Sequence, residues 1–87
     1  MPYLLVRHKV SDFSTWKAAY DANLRLREDA GLKEELFLRN VDDPNEVFLL
    51  FKAARLQNAR DFAASPELRQ KMMEAGVVER PDLYFLE

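Results

Sequence analysis

Apolar residues recur along the chain at two spacings, and the switches between them predict the order of elements. Residues 3–10, YLLVRHKV, are rich in Leu and Val and read as a strand. The next segment turns to the helical period: with Asp12 or Ser14 as N-cap, Phe13, Trp16, Tyr20, Leu24 and Arg27 share one third of a helix surface. The opposite side carries Lys17, Asp21, Arg25, Glu28 and Asp29, and Gly31 stands where a left-handed cap ends the helix. Residues 33–41 and 46–53 are strands around DDPN, a run of turn formers, which predicts a hairpin. A loop of residues 42–45 sets Arg39 opposite Phe48 and Phe37 opposite Leu50, a register that a bulge would shift. Residues 55–64 form a second helix with Leu56, Ala59, Phe62 and Ala63 inward. SPEL then restarts a helix: Ser65 is the N-cap, Pro66 suits the first helical position, and Glu67 complements the helix dipole. Leu68, Met72 and Ala75 line its inner side, Gly76 closes it, and residues 82–86 are the last strand.

The order β, α, β, β, α, β predicts a single α+β domain over residues 1–87, a ferredoxin-like sandwich. Its antiparallel four-stranded sheet runs in the order 4-1-3-2, with the helices on one face. Within NEVFLLFKA, however, Val47 to Phe51 are apolar without alternation, so both faces of that strand need cover. Helices on one side leave about 400 Å² of sheet on the other, the size of the largest apolar patch on a typical monomer. Covering it is favourable by roughly 10 kcal/mol before the entropy of association. A homodimer through the sheet faces is the simplest solution, and the two sheets then enclose a barrel.

Composition narrows the classes. With 87 residues, 48% hydrophobic and 32% charged, the chain is an ordinary globular domain without an apolar run near the roughly 18 residues of a membrane span. A net charge of −2 and a pI near 5.4 argue against a nucleic-acid partner. The start, MPYLLVRHKV, lacks a basic leader and a small-residue cleavage site, and no cysteine occurs, so a cytoplasmic location is expected.

HKVSDFSTWKAAYD, NVDDPNEVFLLFKA, FAASPELRQKMMEAGV and RPDLYFLE together resemble the dimeric α/β-barrel superfamily, close to the antibiotic biosynthesis monooxygenase-like domains. The resemblance covers almost the whole chain. It implies a pocket-bearing homodimer whose relatives include cofactor-free oxygenases of polycyclic phenols, polyketide cyclases, muconolactone isomerases and haem-degrading enzymes. Those last use a histidine from the later helical half, and none stands there, so haem cleavage is not carried over and no cofactor is expected. The implied function is a cofactor-free monooxygenase or cyclase-like activity on a small aromatic or polyketide-like molecule. The alternative is a non-catalytic module for small-molecule binding or dimerisation.

Few polar residues fit such chemistry. His8, the only histidine, shares a strand face with Leu4, Val6 and Val10; it reads as an acid or base in the barrel, or as a partly buried histidine hydrogen-bonded to a neighbouring strand or helix. Arg39, opposite Phe48, could orient an anionic or phenolate ligand, or form an ion pair with Glu46 or Glu35. His8 and Arg39 are therefore the catalytic candidates. Trp16, Tyr20 and Phe48 are the candidates for substrate contact, with core packing as the alternative for the first two. One histidine and no cysteine leave no nitrogen or sulfur metal site, and Asp42, Asp43 and Glu46 around a tight turn read as solvated. No nucleophile elbow, dinucleotide fingerprint or P-loop occurs.

Overall fold

Strand β1 (Tyr3–Lys9) occupies the centre of the sheet in the computed structural model, which describes all 87 residues. Helices α1 (Phe13–Ala22) and α2 (Leu24–Asp29) follow it, then the hairpin of β2 (Leu32–Arg39) and β3 (Glu46–Ala53). Helices α3 (Leu56–Ala64) and α4 (Pro66–Glu74) lead to the edge strand β4 (Asp82–Leu86). All pairings are antiparallel and the order is β2-β3-β1-β4, which from the other edge is the expected 4-1-3-2. The fold is the ferredoxin-like sandwich. In β1 and β3 every second residue is buried: Leu4, Val6 and His8, with Val47, Leu49, Phe51 and Ala53, face the helices and form the core with Trp16. No helix is long and apolar enough to cross a membrane.

The helix caps follow the sequence closely. Asp12 is the N-cap of α1 and accepts the backbone N–H of Thr15 at 2.9 Å. Ser65 caps α4, with Pro66 at its first position. Gly76 adopts φ 91°, and a Cβ there would lie 2.6 Å from Ser11 Oγ, so both backbone and space favour glycine. One expectation fails. The first helix does not run unbroken to Gly31 but divides at Asn23, whose Nδ2 and backbone N–H both donate to Ala19 O, at 2.9 and 3.1 Å. An asparagine that captures its own helix carbonyl competes with the ladder. The break leaves Leu24 51% exposed, off the inner stripe, while Arg27 turns inward to 8%.

The hairpin register also differs from expectation. Asn40 N donates to Glu46 O at 3.0 Å, so the loop holds one residue more than DDPN. Two Asx turns shape it: Asn40 Oδ1 accepts from Asp42 N at 2.8 Å and Asp43 Oδ1 from Asn45 N at 3.1 Å. Phe37 therefore pairs with Leu49 and Arg39 with Val47, and both face the helices instead of the open side. A second shift lies between Glu34 and Leu36, where Glu35 is the extra residue of a bulge.

The helix-free face is apolar in its middle. Leu36 faces Leu50, Leu5 lies opposite Tyr84, and Leu38 opposite Phe48; Leu36, Leu38, Tyr84 and Leu86 are all 44% exposed or more. One end of this face is acidic and tightly paired. Arg7 is bound by Glu46 and lies 3.4 Å from Asp82 and 3.7 Å from Glu79. Asn40 Nδ2 donates to Glu46 at 2.7 Å, and the two partners hold its carboxyl below the usual carboxylate range. Lys33 and Lys52 are paired at the other end.

Candidate functional site

A cavity of ≈ 80 Å³ lies between the helices and the covered face of the sheet. Leu4, Val6 and His8 of β1, Leu49 and Phe51 of β3, and Leu83 of β4 make its floor. Trp16 and Tyr20 of α1 and Phe62 of α3 wall it with aromatic rings, and Leu68 and Met72 of α4 add aliphatic surface. The side chains with polar atoms in this wall are His8, Trp16, Tyr20, Asn23, Arg27 and Lys71.

His8 reaches the cavity because β1 alternates and its even-numbered residues point to the helices. It is 3% exposed, and neither ring nitrogen has a hydrogen-bond partner. Its ring meets that of Trp16 edge to face, with centroids 5.2 Å apart. Burial, reinforced by the nearby Arg7 charge, lowers its pKa to about 4, so the imidazole is neutral at physiological pH. A neutral ring has one donor and one acceptor nitrogen, and buried polar groups of this kind are normally paired. Neither nitrogen here has such a partner, and neither is open to solvent.

Tyr20 stacks on Trp16 at 4.9 Å and donates its hydroxyl to Glu34 at 2.7 Å. Burial, followed by that hydrogen bond, raises its pKa well above the ordinary phenol value, which keeps it a neutral donor and excludes it as a base. The Arg27 guanidinium lies 3.6 Å over the Tyr20 ring and donates to Tyr20 O at 2.7 Å. Phe37, brought inward by the register shift, packs at 6.0 Å from Tyr20 and 5.8 Å from Trp16.

Of the five residues singled out from the sequence, the cavity gathers His8, Trp16 and Tyr20. Arg39 lies away from it: its guanidinium covers the Phe13 ring at 3.6 Å, and its Nε donates to Pro44 O at 3.0 Å, without an acidic partner. Phe48 lies on the open face. The sequence reading missed Arg27, Lys71 and Asn23. Arg27 already stood in the apolar stripe of the first helix, where a cation is out of place, and Lys71 stands three residues after Leu68 on the inner side of α4.

No family profile matches the sequence, and no curated protein sequence matches it. Solved structures do. A candidate antibiotic biosynthesis monooxygenase from Bordetella bronchiseptica superposes with a TM-score of 0.80 at 15% identity, over 99% of this chain and 94% of its own. A similarly described protein from Nitrosomonas europaea gives 0.71 at 17%, over 100% and 97%. SnoaB, a cofactor-independent oxygenase from Streptomyces nogalater, gives 0.69 at 14%, over 95% and 89%. Such identities speak for the fold alone, and the chain shares the fold of these proteins.

Proposed function

We propose that the protein takes a small aromatic or polyketide-like molecule into the cavity between helices and sheet and acts on it as a cofactor-free monooxygenase. The observation that carries this reading is His8, buried among apolar and aromatic side chains with both nitrogens unpaired. Neutral imidazole accepts the proton of a bound phenol or enol, the ligand's own negative charge supplying the counter-ion that the empty cavity lacks, and the resulting anion is electron-rich enough to react with dioxygen at carbon. The peroxide so formed takes the proton back from the imidazolium, and the hydroperoxide loses water to leave a carbonyl, so the substrate itself supplies all four electrons that reduce dioxygen and no reductant is consumed. A dry aromatic wall protects the anion, and Arg27 stabilises its charge. Oxygen uptake with an anthrone, matched by quinone formation, is the test. His8→Phe is expected to lower the rate by about a hundredfold or more. An unchanged rate in that variant removes His8 from the reaction.

A binding module without turnover is the second reading, favoured by the size of the cavity. At ≈ 80 Å³ it is smaller than the roughly 150 Å³ that engineered protein cavities offer to benzene, so a ring system enters only in part and its outer portion stays in water, where a reactive anion is not protected. Saturable binding of the anthrone without oxygen uptake would decide for it.

The proposal extends to assembly. The apolar middle of the open face matches a second copy of itself, and its charged ends select the orientation. A twofold axis lying across the strands sets the Lys33 and Lys52 end of one copy against the Glu46 and Asp82 end of the other. An axis along the strands would oppose like charges. Leu50→Asp, at the centre of this face, is expected to weaken the dimer at least about a hundredfold while leaving the helix-side core intact. Sedimentation velocity across a dilution series reads the change, and a variant that sediments like the parent argues for a different interface.

A further inference from the structure

We infer that the cavity selects an anion: a small amphiphile whose carboxylate is held by Arg27 and Lys71 while its apolar body lies against Trp16. This rests on reading the cavity as the binding site and adds the charge of what enters it. The chain as a whole carries more acid than base, 15 Asp and Glu against 13 Lys and Arg. The cavity wall reverses that balance. It contains Arg27 and Lys71 and no acidic residue.

Arg27 is the more telling of the two. It is 8% exposed, yet it takes part in none of the protein's ion pairs. A guanidinium has five N–H donors, and in the protein this one donates to Tyr20 O alone. Its flat face rests on the Tyr20 ring, which fixes the plane of the fork. Glu28 and Glu34 line the groove on the outer side of Arg27, but neither comes within 4.0 Å of it, and Glu34 is engaged by the Tyr20 hydroxyl. Buried charges are ordinarily paired, because an uncompensated one is costly to desolvate. Lys71, half-buried on α4, likewise has no acidic partner.

Two cations from different helices thus border an apolar space with no carboxylate to neutralise them. Arg27 also touches the outer groove, which places it at the boundary between cavity and solvent. A ligand with its anionic end there keeps that end partly hydrated and buries its apolar part against the floor of the sheet. An aryl or short alkyl carboxylate has this form. The planar fork of Arg27 suits a carboxylate better than a point charge, since it can bind both oxygens.

Trp16, the chain's single tryptophan, lines the cavity and serves as the reporter. Benzoate and benzamide, nearly identical in shape and different in charge, are titrated against its fluorescence at low ionic strength. Benzoate is expected to bind about tenfold or more tightly than benzamide. Arg27→Gln and Lys71→Gln should each remove most of that difference. Because loss of buried Arg27 can weaken the fold, Lys71→Gln at its half-buried position keeps the result decisive. Equal affinities for the two probes, or a preference that survives in both variants, overturns the anion assignment while leaving the cavity as a site. Silence of Trp16 towards both probes overturns the site along with it.

Discussion

Trp16→Ala is expected to cost about 3–5 kcal/mol of folding free energy, more than truncation of any other ring in the aromatic cluster. The indole is 2% exposed and forms the hub of that cluster. Tyr20 stacks on it at 4.9 Å, His8 meets it at 5.2 Å, and Phe37 and Phe13 lie at 5.8 and 5.9 Å. The space left by the indole would join the existing ≈ 80 Å³ cavity, and an enlarged void relaxes poorly when its wall is a sheet on one side and capped helices on the other. A domain of 87 residues has roughly 4–13 kcal/mol in total, so the variant stands close to unfolding at 37 °C. Far-UV circular dichroism in urea reads this without relying on the tryptophan that has been removed. A loss below about 1 kcal/mol would show that the cluster is held together without its centre.

The second large effect is acid lability. His8 binds its proton with a pKa of about 4 in the folded protein against 6.5 when unfolded, so between those values the unfolded chain holds more protons and stability rises with pH. Its contribution is complete above about pH 6.5 and is lost as the pH falls towards 4. The gap is worth at most about 3.5 kcal/mol, at about 1.4 kcal/mol for each pKa unit. Burial is the main cause and the Arg7 charge adds to it; no carboxylate lines the cavity to reward the imidazolium. His8→Phe removes the titrating group together with two unpaired nitrogens. It is expected to be about 1 kcal/mol more stable than the parent near pH 7 and nearly flat between pH 6.5 and 4.5. Urea midpoints measured at several pH values decide the matter: a parent protein equally stable at pH 7 and pH 4.5 contradicts a buried neutral His8.

Those two residues were legible in the sequence because the signals placing them are strictly periodic. His8 alternates with Leu4, Val6 and Val10, and Trp16 falls on the helical stripe with Phe13 and Tyr20, so their inward direction needs nothing beyond period two and period 3.6. Arg39 and Phe37 were misplaced because their direction depends on the length of the turn. Counting DDPN as the loop puts them on the open face, but Asn40 pairs with Glu46 and the true loop is one residue longer, which reverses the side of every residue in that half of β2. The Asx turns responsible use side-chain oxygens, and asparagine and aspartate are equally common in shorter loops. Arg27 shows a different limit. Its position on the inner stripe was visible, but the lack of an acidic partner is a property of neighbours distant in sequence. The arrangement sought at Arg39, a cation stacked on an aromatic ring at the wall of the cavity, is found at Arg27.

The bulge at Glu35 has a bearing on how this strand is compared with others. Residues on its two sides follow opposite inside–outside phases, so Glu34 meets Tyr20 beneath the helices while Leu36 lies on the bare face. Set against a relative whose second strand runs straight, an ungapped alignment would equate helix-side positions with open-face positions along half the strand. One gap at Glu35 restores the correspondence, and mutational data transferred between such proteins carry the right meaning only after that gap is opened.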